Sequence, residues 1–151
     1  MSEFKLLENT TLFAGLDKAQ LERLQGIGQR HTYRDGDVIF EEGDSGHDVY
    51  VLLEGRIQIT VKMSRDTEQA PVHTIVPGSV FGEFALVSDS ERSATAQATK
   101  DSTCFVFTRE SFEQLSEQDP HLGYRVTRNL AEILVGRIVK TTRDLRASLM
   151  F

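Results

Sequence analysis

The stretch from Phe81 to Thr95 holds the residues whose types and spacing could do chemistry, FGEFALVSDSERSAT. Glu83 follows Gly82 directly, and Arg92 comes nine residues after Glu83. A helical turn that starts near Gly82 would offer free backbone N–H groups and a partial positive charge, which attract anions. Gly82 would let a ligand approach the backbone closely, and Arg92 would add a planar fork of donors suited to phosphate. The stretch therefore predicts a phosphate site.

Glu83 indicates what else the ligand carries. An ionised carboxylate only accepts hydrogen bonds, so it gains nothing from a phosphate beside it. It fits a ligand that also offers hydroxyl donors, as a ribose does. The alternative interpretation is a solvated Glu–Arg pair on a surface loop.

These residues resemble the phosphate-binding cassette of cyclic-nucleotide-binding domains. That family includes the catabolite activator proteins, the regulatory subunits of cyclic-AMP-dependent kinases and the cyclic-nucleotide-gated channels. Its pattern is a Phe-Gly-Glu opening, an apolar turn, and then Arg, one small residue and Ala. The chain has this opening at Phe81 and the closing residues at Arg92, Ser93 and Ala94.

The resemblance implies a role for each matching position. Glu83 would bind the ribose 2′-hydroxyl and Arg92 the cyclic phosphate, with Ser93 and nearby backbone amides completing the cradle. A cap over the base would fall near Arg137 on the last helix, for which a solvated side chain or a charge in the dimer seam is the alternative. The ligand-binding set is then Phe81, Gly82, Glu83, Phe84, Ala85, Arg92, Ser93, Ala94 and Arg137. We expect the loop that carries Arg92 to be exposed, so that its loss would hardly change stability without ligand.

The histidines and serines of the sequence give little support for an enzyme. The four histidines, at positions 31, 47, 73 and 121, include no His-x-His or His-x3-His pair of the kind that a metal-dependent cupin needs. Ser90 and Ser93 have no neighbouring base, and the Gly-x-Ser-x-Gly pattern of hydrolases is absent. We predict neither catalytic residues nor a metal site.

Composition narrows the class of protein further. The chain has 151 residues and a net charge of −6, which argues against a nucleic-acid-binding surface over the whole domain. The last 31 residues are basic, with six Lys or Arg against two Asp or Glu. Cys104 is the one cysteine, so no internal disulfide can form. Without a signal peptide or an apolar run near 18 residues, the sequence predicts a soluble, cytoplasmic protein.

Three segments position the cassette. Residues 1–30 predict a helical segment, in which Asp17 and Gln20 form a capping box and Leu21 and Leu24 share an apolar face. Residues 31–108 have period-two alternation in about eight short strands with Gly-marked turns, and a polar loop at 64–70. The fold class is mainly β with flanking helices, an eight-stranded jelly-roll β-barrel with a short cassette helix.

Residues 109–151 predict two helices. Thr108 can cap the first, and Asp119 can cap the second with Pro120 at its first position. The second helix would reach about Ser148, roughly 40 Å. One apolar stripe would face the barrel, and another lies at coiled-coil spacing. The stripes are Leu122, Val126, Leu130 and Ile133, and then Leu134, Ile138, Thr141 and Leu145.

The resemblance makes this helix the dimer helix of catabolite-activator-like proteins, and so predicts a homodimer. A helix packed only on its own barrel is the alternative. The chain stops where those regulators begin their helix-turn-helix domain, so we expect no direct nucleic-acid binding.

The sequence therefore predicts a regulatory domain, not an enzyme, that binds cyclic AMP or cyclic GMP. Binding would shift the C-terminal helix as a lid, and a downstream protein partner or a second protomer would read the change. The alternative is a ligand-free interaction module that keeps the same fold for dimerisation. The purine stays open, because the family tolerates Ser after the phosphate Arg with either ligand.

Overall fold

Eight strands and four α-helices make up the computed structural model of this chain, which describes residues 2–63 and 69–150. Short 3-10 turns lie at Thr11–Phe13 and Glu83–Leu86. The helices are α1 (Glu3–Glu8), α2 (Lys18–Gly26), α3 (Arg109–Gln118) and α4 (Pro120–Leu149). The strands are β1 (Gln29–Tyr33), β2 (Val38–Phe40), β3 (Asp48–Glu54), β4 (Ile57–Lys62), β5 (Gln69–Ile75), β6 (Val80–Phe81), β7 (Thr95–Ala98) and β8 (Ser102–Thr108).

The strands pair as two antiparallel four-stranded sheets, in the orders β1-β8-β3-β6 and β2-β7-β4-β5. The mainly-β class with flanking helices and the jelly-roll-like arrangement are confirmed. The predicted jelly-roll β-barrel takes the form of two sheets and is not closed, because strand pairing within the described residues stops at these two sheets. Side chains join them instead, through a buried cluster that draws Tyr50 and Leu52 from one sheet and Ile57 and Ala96 from the other.

The central strand β3 is buried on both faces. Val49 and Val51 point to a cluster that the helices cover, whereas Tyr50 and Leu52 point into the layer between the sheets. Side chains alternate along a strand, so one strand serves both layers of the core. This places Tyr50 directly beneath the cassette, because it pairs with Phe81 of β6.

Local capping sets the ends of the helices as the sequence predicts. Asp17 and Gln20 form the reciprocal capping box, at 2.8 and 3.0 Å. Thr108 accepts from the Ser111 amide at the start of α3, and Asp119 accepts from the Leu122 amide at the start of α4. Each side chain satisfies a backbone donor that the first helical turn leaves unpaired.

The long helix α4 has 30 residues, or about 45 Å, and its two halves differ. Leu122, Val126 and Leu130 are buried against the body of the domain, which confirms the barrel-facing stripe. Beyond Leu134, which is half-buried, the apolar side chains are exposed, as at Ile138 (65%). The predicted homodimer through this distal half stays a prediction.

The predicted polar loop at 64–70 is partly wrong. Its residues 64–68 lie outside the described residues, but Gln69 and Ala70 already belong to β5. They pair with Lys62 and Val61 of β4 and so extend the hairpin. No helix in the described chain combines the length and the apolar character needed to cross a membrane.

Candidate functional site

The cassette turn begins where β6 ends. Gly82 has a φ of +71° and opens the 3-10 turn Glu83–Leu86. A Cβ atom at this position would lie 2.9 Å from Nη1 of Arg92 and 3.2 Å from the carbonyl oxygen of Asp48. The left-handed backbone and the close approach of Arg92 both require glycine. The predicted helical turn near Gly82 is present.

Arg92 is held over the turn by contacts from three directions. Its Nη1 donates to the carbonyl oxygen of Gly82 at 3.2 Å, and its Nη2 donates to the carbonyl oxygen of Asp48 at 2.9 Å. Its guanidinium carbon lies 4.3 Å from the centre of the Phe40 ring. The backbone of Arg92 also pairs with the preceding turn, through Asp44 and Gly43 at 2.8 Å each.

The guanidinium of Arg92 is a buried charge that has no acidic partner among the described residues. Arg92 is 9% exposed, and within residues 2–63 and 69–150 no carboxylate forms an ion pair with it. Its Nε is buried and has no hydrogen-bond partner in the described chain. Burying a charge is costly unless it is paired and hydrogen-bonded. The expectation of an exposed loop is therefore wrong at Arg92, because Phe40 and the backbone at Gly46 lie against its side chain.

Glu83 is buried too, at 4% exposure, and the carboxylate pairs with Arg137 of α4 rather than with Arg92. Nη1 of Arg137 donates to Oε1 of Glu83. The Arg137 guanidinium also lies 5.9 Å from the centre of the Phe84 ring. The solvated-pair interpretation fails for Glu83 and Arg92, since both are buried and they are not partners.

The remaining predicted residues lie around Glu83 and Arg92 and differ in how deeply they are buried. Phe81 is buried and stacks on Tyr50 with ring centres 4.9 Å apart, and Ala85 is also buried. Phe84 is 43% exposed beside Glu83. Ser93 is exposed and Ala94 is half-buried, directly after Arg92. The cassette thus brings all nine predicted residues to one region, whereas their roles toward a ligand stay predictions.

Sequence reasoning missed the residues that hold Arg92. Phe40, Tyr50 and the carbonyl of Asp48 come from strands that precede the cassette by thirty residues or more. Gly46 also belongs here, because a Cβ there would lie 3.0 Å from Nη2 of Arg92. Phe40 ends an apolar strand and could have been suspected as a cation–π partner. A backbone carbonyl gives no signal in the sequence.

A second arginine contacts the same loop from the other side. Arg109, the first residue of α3, donates to the carbonyl oxygen of Ser88 at 3.2 Å and to the carboxylate of Asp89. Its Nη2 also lies 2.9 Å from Nε2 of His47, whose Nδ1 lies 2.8 Å from Oε1 of Glu110. The hydrogen bond from Arg109 holds the pKa of Asp89 below its usual value.

Burial keeps two other groups near the site neutral. It raises the pKa of the Tyr50 hydroxyl to about 12, and that of the Cys104 thiol to about 12. Neither group can supply a nucleophile or a base near neutral pH. Arg92 offers hydrogen-bond donors and Glu83 a carboxylate acceptor, the two kinds of group that could hold an anion with hydroxyl groups.

Comparison with known proteins agrees with this geometry. The family model of the cyclic nucleotide-binding domain matches residues 30–119, more than half of the chain. The cyclic AMP receptor protein of Thermus thermophilus is 28% identical over 139 residues, which are 92% of this chain and 62% of the relative. Human cGMP-dependent protein kinase 2 is 31% identical over 109 residues, which are 72% of this chain and 14% of the kinase.

A solved structure points the same way. The regulatory domain of Toxoplasma gondii PKA with cAMP aligns with a TM-score of 0.68 and 25% identity. The alignment covers 74% of this chain and 42% of that one. In these alignments the chain spans less than two thirds of each known protein, and only a small part of the kinase.

Proposed function

The chain belongs to the cyclic nucleotide-binding domain family, and from that premise we propose that it is a regulatory domain, not an enzyme, that binds cyclic AMP or cyclic GMP in the cassette. The observation that carries the proposal is the buried Arg92 guanidinium, which has no acidic partner in the described chain. A cyclic phosphate would supply the missing negative charge. Its oxygens would accept charge-assisted hydrogen bonds from Arg92.

The phosphate end of the ligand would lie between Arg92 and the start of the cassette turn. Arg92 now donates only to backbone carbonyls, and its Nε is still unpaired, so donors are available for a phosphate. Gly82 leaves room for a ligand close to the backbone. Exposed Ser93 would add a hydroxyl donor, and the Ala94 amide would complete the cradle.

The ribose end would meet Glu83. Only Oε1 of this carboxylate has a hydrogen bond in the described chain, from Arg137. Oε2 would accept from the 2′-hydroxyl. Phe81 and Ala85 are buried and would shape the turn, whereas Phe84 is exposed beside the carboxylate and would border the ligand.

The purine is open between the two cyclic nucleotides. One relative is named a cyclic AMP receptor and another a cGMP-dependent kinase, and one solved regulatory domain carries cAMP. The base lies farthest from Arg92 and Glu83, so these two residues favour neither ligand.

Occupancy would be relayed through α4. Its proximal half packs on the body next to the cassette, and its distal half exposes Val135, Ile138 and Leu145. These side chains would pair with the same helix of a second protomer to form a homodimer, and a downstream protein would read the helix surface. A ligand can shift α4 only if it binds the two helix states with different affinities.

Isothermal titration with cyclic AMP and with cyclic GMP tests the proposal. We expect heat with at least one of them, and none with non-cyclic AMP or GMP at the same concentration. A folded protein that gives no heat with either cyclic nucleotide would instead support the ligand-free interaction module. Light scattering tests the proposed dimer surface of α4 separately. The wild type should have twice the mass of one chain, and Ile138→Lys should have the mass of one chain.

A further inference from the structure

One arginine connects the exposed half of α4 to the cassette. From residue 135 to 149, within the described chain, Arg137 alone makes a side-chain hydrogen bond or ion pair to the body of the domain. Its partner is Glu83, the carboxylate assigned to the ribose. The side chain of Arg137 is 47% exposed, whereas that of Glu83 is 5% exposed.

The contact uses only part of each group. Nη1 of Arg137 meets Oε1 of Glu83, and an ionised carboxylate has a second oxygen with its own lone pairs. A ribose hydroxyl can therefore bind at Oε2 without displacing Arg137. The Phe84 ring lies against the same guanidinium, with its centre 5.9 Å away, so two successive residues of the cassette turn hold Arg137 in place.

The ion pair with Arg137 also offsets the free-energy cost of burying the Glu83 carboxylate. A buried carboxylate without a partner is strongly unfavourable, and removal of one member of a buried pair leaves that charge uncompensated. Without Arg137, the Glu83 side chain would turn toward water, and its carboxylate would no longer be fixed where a ribose hydroxyl can reach it.

We propose that Arg137 is a positioning residue for the ribose, which acts through Glu83 and does not itself need to touch the base. It holds the carboxylate in one orientation through Oε1, which leaves Oε2 to accept from the ligand. This inference rests on the proposed binding of a cyclic nucleotide. It differs from the predicted base cap at Arg137, in which the guanidinium would contact the purine.

The proposal also gives the relay a physical link. If Arg137 supports ribose binding through Glu83, the ribose must support the attachment of α4 to the same degree, since coupling between two binding events is reciprocal. The ion pair lies just beyond Leu134, where the buried half of α4 ends. A bound ribose would thus hold the start of the exposed half of the helix against the cassette.

The test is titration of the full chain with cyclic AMP and with 2′-deoxy cyclic AMP, or with the guanine pair if the protein binds cyclic GMP. Arg137→Met should weaken binding of the ribose ligand by about tenfold, and that of the 2′-deoxy ligand by less than about threefold. Lys140→Met removes the same charge from the same exposed face and should leave both affinities unchanged. Arg137→Lys should recover part of the loss, because it restores one charged donor.

A second experiment tests whether Arg137 acts through Glu83 or in another way. In a Glu83→Gln background, Arg137→Met should cause no further loss, since the two residues act as a unit. Equal losses for the ribose and 2′-deoxy ligands would overturn the proposal in favour of a base contact. If Arg137→Met bound the ribose ligand more tightly than wild type, the proposal would be overturned, because Arg137 would then compete with the ribose for Glu83.

The outcomes also separate this inference from the proposed function. Wild type that binds a cyclic nucleotide while Arg137→Met binds equally well would overturn only the role of Arg137. Wild type that binds neither cyclic nucleotide would overturn both. Melting curves of each variant without ligand show whether a loss reflects misfolding, and Arg137→Met that fails to fold would overturn a role confined to positioning.

Discussion

Two arginines contact the cassette loop, and their surroundings are opposite. Arg92 lies over the start of the turn, buried, with backbone carbonyls and an aromatic ring around it. Arg109 lies at the start of α3, where it meets Asp89 and stands beside a histidine that contacts Glu110. Both cations contact the same loop, but within the described residues only Arg109 has acidic side chains to neutralise it.

The difference is the reason for proposing a binding site at Arg92 and not at Arg109. At the Arg109 end the charges are already balanced, and a ligand anion would have to displace Asp89. At the Arg92 end the protein provides donors and shape but no counter-charge in the described chain. A buried cation left in that state is a cost to the folded protein, which a bound anion would remove.

The largest expected effect comes from the removal of the Arg92 charge. Arg92→Met should weaken cyclic-nucleotide binding by about a hundredfold or more, because two or more charge-assisted hydrogen bonds are lost. Methionine keeps apolar contact with Phe40, so the variant should stay folded without ligand. Titration and melting curves check both, with Arg109→Met as the matched control. If the control lost as much affinity as Arg92→Met, the contrast between the two arginines would be wrong.

The burial of Arg92 also changes what truncation would do. Alanine would leave a gap beside Phe40 and remove the donors to Gly82 and Asp48. Arg92→Ala should therefore lower the free energy of unfolding by about 1–3 kcal/mol without ligand, where the exposed-loop expectation gave no change. Chemical denaturation of both variants measures this, and an Arg92→Ala protein as stable as wild type would restore that expectation.

These contrasts mark what the sequence could and could not predict. Local signals were sufficient for the caps at Thr108 and Asp119, the turn at Gly82 and the buried stripe of α4, because each depends on neighbours within a few residues. The division of the strands into two sheets and the surroundings of Arg92 depend on contacts between distant strands. The pairing of Glu83 with Arg137 spans 54 residues of sequence, and no spacing rule joins them.

The next effect in size concerns the hydroxyl end of the ligand. Glu83→Gln should weaken binding of the 2′-hydroxyl ligand by about tenfold, because an ionised acceptor is replaced by a neutral one and the partner of Arg137 is lost. The 2′-deoxy ligand should lose much less, since it has no donor to offer. Parallel titrations with the two ligands check this. Equal losses would remove Glu83 from the ribose and leave it only as the partner of Arg137.

Near Arg109, where the charges are paired, a substitution should change the affinity for a cyclic nucleotide very little. Asp89→Asn removes the acid that pairs with Arg109, and Asp89 is exposed with an 85% accessible side chain. Exposed ion pairs contribute little to stability, so cyclic-nucleotide affinity should stay within about threefold of wild type. Titration with the variant checks this. A large loss would mean that Arg109 positions the loop for the ligand, which would break the proposed division between the two ends.

The smallest expected effect is a pH dependence of stability, which we expect from the ion pairs around Arg109 and not from Arg92. The hydrogen bond from Arg109 lowers the pKa of Asp89, and the hydrogen bond with His47 lowers the pKa of Glu110. A carboxyl whose pKa is lowered by folding adds stability above its unfolded pKa, and this is lost as the pH falls through the lower folded value. The melting temperatures of wild type and of Asp89→Asn/Glu110→Gln should therefore differ at about pH 6, and the difference should shrink as the pH falls below about 4. Arg92 has no carboxylate partner in the described chain, so melting curves of Arg92→Met should keep a constant offset from wild type. An offset that also vanished in acid would reveal a carboxylate near Arg92, and the difference between the two arginines would no longer hold.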